Sequence, residues 1–146
     1  MKLSFYILIF SLMVTPKTNS LVINFITQTN SVLQSEILIV FNDIEKGINS
    51  GNVSAISKYF STETFLSLNN GIMGYYSANQ SYYVLQSYFN TNRPISFKYS
   101  IVASENNPYA TGTLTYDSRN KRETAQVFIS LDKFDKSWKI SQITIK

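Results

Sequence analysis

The sequence predicts an α+β domain in which a curved antiparallel sheet wraps around helices that precede it. Three observations predict this. Apolar residues recur at helical spacing around 37–60 and 78–89. They recur at every second position in four stretches between 95 and 145. Turn-forming clusters such as Asn69-Asn70-Gly71 and Asn106-Asn107-Pro108 separate the segments.

The first helix is set by Ile37, Phe41, Ile44 and Ile48, with Leu33 and Val40 widening the stripe and Asn42, Asp43, Glu45 and Lys46 on the other side. Gly51 suits the left-handed residue that ends such a helix, and Asn52 suits the cap of a short second one bearing Val53, Ile56 and Phe60. This spacing reads as core rather than as a binding groove. Thr64 to Leu68 reads as a short edge strand, and Ile72 to Tyr76 as a loop. Ser77 and Gln80 have the spacing of a capping box, and Ala78, Tyr82, Leu85 and Phe89 form the stripe of the helix that follows. Arg93-Pro94 ends it.

Four strands remain. Ile95, Phe97, Tyr99 and Ile101 share one face of the first. Ala110, Gly112, Leu114 and Tyr116 share a face of the second, and Ala125, Val127, Ile129 and Leu131 a face of the third. In the last, Trp138 to Ile145, the apolar parity changes between Ile140 and Ile143, which predicts a β-bulge. The sheet must close over the helical stripes, giving a cone with a pocket at its open end.

The N-terminus carries an address. Lys2 precedes an apolar run from Leu3 to Val14, and Thr18 and Ser20 stand at the −3 and −1 positions of a cleavage site. This predicts a signal peptide over residues 1–20, too short to span a bilayer, with a retained N-terminal anchor as the alternative. Residues 21–35 then form a lead-in that can merge into the first helix, and 36–146 the domain. The chain is expected to be exported, to the periplasm or beyond. Cleavage removes Lys2 and Lys17 and no acid, so the formal charge falls from +4 to +2. That small excess argues against a nucleic-acid partner.

Much chemistry is excluded. The 146 residues contain no histidine and no cysteine, which removes histidine-assisted nucleophilic sites and nearly all zinc or copper sites. No phosphate-cradling glycine loop and no calcium loop occurs. No catalytic residue, metal ligand or cofactor is therefore assigned. Carboxylates are the remaining acids and bases, and most fall at turns. Glu63 is the exception that can face the cone mouth. Met73, Tyr75, Tyr76, Tyr82 and Tyr83 cluster around a glycine-containing loop and are the contact residues expected for a ligand or partner.

The ordered set of Lys46-Gly47-Ile48-Asn49-Ser50-Gly51-Asn52, Lys58-Tyr59-Phe60, Tyr76-Ser77-Ala78-Asn79-Gln80, Tyr88-Phe89, Ser96-Phe97 and Trp138-Lys139-Ile140 resembles a bacterial family of secreted proteins called domain of unknown function 4783. The resemblance covers roughly residues 36–146. It implies a cone-shaped nuclear-transport-factor-2-like (cystatin-like) fold, and it brings no catalytic residues. Two functions stay open. One is a non-catalytic exported module that binds a small apolar or amphipathic ligand or an envelope protein. The other is an isomerase or dehydratase using a lone carboxylate. Cone folds of this kind often pair through the open sheet face, where Phe128 stands between Gln126 and Ser130, so a homodimer is also expected.

Overall fold

The structure is a computed structural model that describes the backbone of residues 20–146 and, apart from Thr29, side chains from residue 31 onward. The rest of the expected signal peptide, residues 1–19, lies outside the described residues. Helix α1 runs from Ser20 to Asn49, so the segment expected as a lead-in is helical throughout. No glycine or proline interrupts residues 20–46, and nothing local stops the helix before Gly47. Gly51, at φ +63°, turns the chain. The Asn52 side chain accepts from Ala55 N and caps α2, Val53–Ile56. A 3-10 turn, Ser57–Tyr59, leads into the sheet. Phe60, expected on the second helix, instead begins a strand.

The strands are β1, Phe60–Leu68; β2, Met73–Tyr76; β3, Asn92–Ala103; β4, Tyr109–Ser118; β5, Lys121–Phe134; and β6, Ser137–Ile145. Helix α3, Ala78–Thr91, separates β2 from β3 and carries the complete capping box between Ser77 and Gln80. The sheet order is β2-β1-β6-β5-β4-β3.

Three expectations change here. Residues 73–76 form a strand, not a loop, because they find a partner in 64–67 across the Asn69-Asn70-Gly71 turn. The strand β1 is therefore not the edge, and it runs parallel to β6 in an otherwise antiparallel sheet. In β3, register shifts flank the Phe97–Tyr99 stretch, so Ile95 and Ile101 turn to solvent while Phe97 stays buried. Pro94, which has no N–H to donate, sits at the first of these shifts. The bulge expected in β6 is present: pairing with β5 slips between Ser130 and Leu131, opposite Gln142 and Ile140.

The helices fill the concave face. Phe41, Ile44 and Ile48 of α1 and Leu85 and Tyr88 of α3 meet Phe97, Leu114, Ile129, Leu131 and Ile140 of the sheet, all buried. Tyr99 donates to the carbonyl of Phe41 at 3.1 Å. The interior is occupied by aromatic and aliphatic side chains rather than by a pocket.

The open edge at β3 is also covered by α1. Asn49 accepts from Phe97 N at 2.6 Å and donates to Phe97 O at 2.7 Å. Glu45 accepts from Tyr99 N at 3.3 Å. Side chains thus replace the strand that an edge would otherwise recruit.

Candidate functional site

With the concave face filled by α1 and α3, the convex face of the sheet is the face left without a helix across it. Residues in register across neighbouring strands project to the same side. One row crosses every strand: Ile101, Thr111, Phe128, Thr144, Ser67 and Met73. The next runs Tyr109, Ser130, Gln142, Phe65 and Tyr75. Neither row holds a charge. Two aromatic pairs stand on them: Tyr109 stacks on Phe128 at 5.8 Å, and Phe65 tilts against Tyr75 at 5.1 Å. Met73 and Tyr75 are among the most exposed large side chains, at 66% and 73%.

The six residues expected at a cone mouth divide between elements. Tyr75 and Glu63 line one open cleft of about 500 Å3 on the convex face, together with Phe65, Ser130, Asp132, Ser141 and Gln142. Met73 belongs to the same face through its row. Tyr76, half-buried, packs on the core from the other side of β2. Tyr82 and Tyr83 lie on α3, where their rings meet edge to face at 5.1 Å and Tyr82 OH accepts from Ser54 across α2. No single mouth unites them. Glu63 is exposed, and its closest acidic companion in the cleft is Asp132.

Three carboxylates, Asp43, Glu45 and Glu123, are engaged by tyrosine, lysine or backbone donors. Asp43 accepts from Tyr59 OH at 2.6 Å and Lys58 Nζ at 3.2 Å. These two donors, the tyrosine first, hold its carboxyl below the usual range, and burial pushes the Tyr59 hydroxyl up. At the far end of the sheet, Tyr88 OH donates to Asn69, Asn69 donates to Tyr116 OH, and Tyr116 OH donates to Glu123, at 3.0, 3.0 and 3.1 Å. Burial raises both tyrosines above the ordinary phenol value, so they act as hydrogen-bond donors and not as acids. This chain edges a polar cleft of about 460 Å3 that also carries Arg119 and Lys121. Part of it is readable from the hairpin: counting outward from Arg119-Asn120 pairs Ser118 with Lys121, Asp117 with Arg122 and Tyr116 with Glu123. The register rows were not readable before the strand order was known.

Among the described residues, no cluster of three or more His, Cys, Asp or Glu side chains could hold a metal ion. No helix among them is long and apolar enough to cross a membrane.

Three helices laid into the concave face of a six-stranded sheet define a nuclear-transport-factor-2-like, or cystatin-like, cone. Within that class, the chain belongs to the family described as domain of unknown function DUF4783, whose model matches residues 41–146. A DUF4783 family protein from Bacteroides uniformis is 16% identical, with a TM-score of 0.66 over 72% of this chain and 94% of that one. One from Bacteroides ovatus is 20% identical, with a TM-score of 0.63 over 70% and 90%. A nuclear-transport-factor-2-like protein of unknown function from Shewanella oneidensis is 15% identical, with a TM-score of 0.53 over 76% and 96%. At these identities the likeness is one of fold. No curated protein matches the chain.

Proposed function

We propose that the protein is an exported, non-catalytic interaction module whose convex sheet face binds protein, in the first instance a second copy of the chain. The observation that carries this is the pair of uncharged rows across the sheet, with Phe65, Tyr75, Tyr109 and Phe128 set among threonine, serine and glutamine. The two uncharged rows can meet their own copies without like-charge repulsion, with Glu63 and Asp132 at their border, and aromatic residues are enriched in protein interfaces. The filled concave face supports contact by surface rather than by an enclosed pocket. The non-catalytic reading is supported by the commitment of Asp43, Glu45 and Glu123 to tyrosine, lysine and backbone donors. Export is supported by the apolar run from Leu3 to Val14.

Sedimentation velocity tests the reading. The mature chain should show concentration-dependent dimers, and Phe128→Glu should leave monomers with unchanged circular dichroism. Monomers at every concentration for the unaltered chain would remove the self-association. Intact mass of the protein recovered from its host should lack residues 1–20.

A further inference from the structure

A second surface, on the helical side of the sheet, has a different composition. The middle of α1 crosses the β5–β6 hairpin there and leaves an open cleft of about 320 Å3. Its floor is apolar: Ile39, Val40, Tyr59 and Trp138. Its rim is basic: Lys58, Lys136 and Lys139, with Glu36 the one acid among the lining residues. A further lysine, Lys133, stands 5.6 Å from the Trp138 ring centroid.

The charges do not cancel. Lys58 is paired with Asp43, and Lys139 donates to the Lys58 carbonyl at 2.6 Å. Lys136, at the exposed hairpin tip, makes no ion pair among the described residues. The apolar floor is left partly open, with Ile39 59% exposed on a helix whose stripe neighbours Ile37, Val40 and Phe41 are buried. The indole N–H of Trp138 is buried without an acceptor among the described residues.

We infer that this cleft binds a small amphiphilic anion, with its apolar body on Ile39, Tyr59 and Trp138 and its anionic head among Lys136, Lys139 and Lys58. The volume lies at the low end of small-molecule sites, which suits a single short chain or one ring system. The basic rim selects the sign of the head group, and the apolar floor excludes a bare inorganic ion. The occupant is a free monoanion, since the apolar part of the site is a small cleft set between a helix and a hairpin rather than a broad surface; a lipid surface is the outcome that vesicle cosedimentation distinguishes. The inference does not depend on the convex face, which lies on the other side of the sheet.

The chain's single tryptophan lines the cleft, so its fluorescence reads occupancy directly. Titration with decanoate at fixed ionic strength should give a saturable change. Decyltrimethylammonium, with the same tail and the opposite head, should bind about tenfold more weakly or not at all. Lys136→Glu should weaken decanoate about tenfold, since it replaces an attraction with a repulsion at an exposed site. Ile39→Asp should abolish the saturable change, with circular dichroism as the check on folding for both variants. Phe128→Glu should bind decanoate normally, which separates this site from self-association. A non-saturable response, equal binding of the two surfactants, or an unaffected Lys136→Glu would overturn the inference. So would cosedimentation with phosphatidylglycerol vesicles together with no response to free decanoate, which would assign the lysines to a membrane surface.

Discussion

The two faces of the sheet use the same strands for opposite ends. On the concave face Leu114, Ile129, Ile140 and Ile143 are each at most 1% exposed and are locked beneath α1 and α3. On the convex face the alternate residues of those strands are mostly threonine, serine and glutamine, with the paired aromatics Tyr109 and Phe128 among them and Asp132 at the edge. The difference shows where selection for folding ends and where selection for contact can begin.

Leu114→Ala should be the most damaging change. It removes a fully buried side chain from the centre of the concave face, in a site hemmed by Phe97 and Ala125 across register. Loss of transfer energy plus an unfilled cavity should cost about 2–5 kcal/mol. Urea unfolding followed by circular dichroism measures it. A loss below about 1 kcal/mol would mean that the concave face is not the packed core described above.

Asn49→Ala should cost less, about 1–2 kcal/mol, because it strips both backbone partners of Phe97 from an edge strand at once. Asn49→Asp keeps only the acceptor and should fall between the two. Hydrogen exchange at the Phe97 amide should accelerate in Asn49→Ala, which removes its acceptor, and stay closer to the native rate in Asn49→Asp, which keeps it. An unchanged rate in Asn49→Ala would show that α1 does not protect this edge.

Phe128→Ala sharpens the contrast between faces. Its loss of stacking on Tyr109 should cost the monomer about 1 kcal/mol or less. Self-association should weaken in the same variant. Equal damage from Phe128→Ala and Leu114→Ala in urea would erase the distinction between the two faces.

What the sequence disclosed follows the range of the interactions. The Ser77–Gln80 capping box and the Asn52 cap are three-residue contacts, and both were legible. The bulge in β6 was legible because it breaks the apolar parity of one strand. By contrast, β2 is a strand only because β1 pairs with it, and its glycine masked that role. Period two placed Ile95 and Ile101 inward, whereas the register shifts of β3 turn them out. Glu45 reads as part of the polar side of its helix and nothing local marks Asn49, because their partners lie 54 and 48 positions away. At the site, Met73, Tyr75 and Glu63 do share the convex side, but Tyr82 and Tyr83 belong to α3, since adjacency in sequence across a helix start does not carry over into space. The lysine-rimmed cleft draws on α1, the 3-10 turn and the β5–β6 hairpin, so no local pattern could announce it.

The smallest effect is expected from Asp43, which ties the 3-10 turn to α1 beside that cleft. Its carboxyl is held below the ordinary value of 3.8 by the Tyr59 hydroxyl and the Lys58 ammonium. The folded state therefore favours the ionised form more than the unfolded chain does. The resulting stability is fully present above 3.8 and fades as pH falls through the lower folded-state value. Because the pair is partly exposed, water and salt screen it, and the contribution is modest. Melting temperatures of the native chain and Asp43→Asn should thus differ slightly near neutrality and converge in strong acid. If the gap is instead constant across pH, the residue acts through packing alone, and the 3-10 turn is fixed to α1 by Tyr59 rather than by charge.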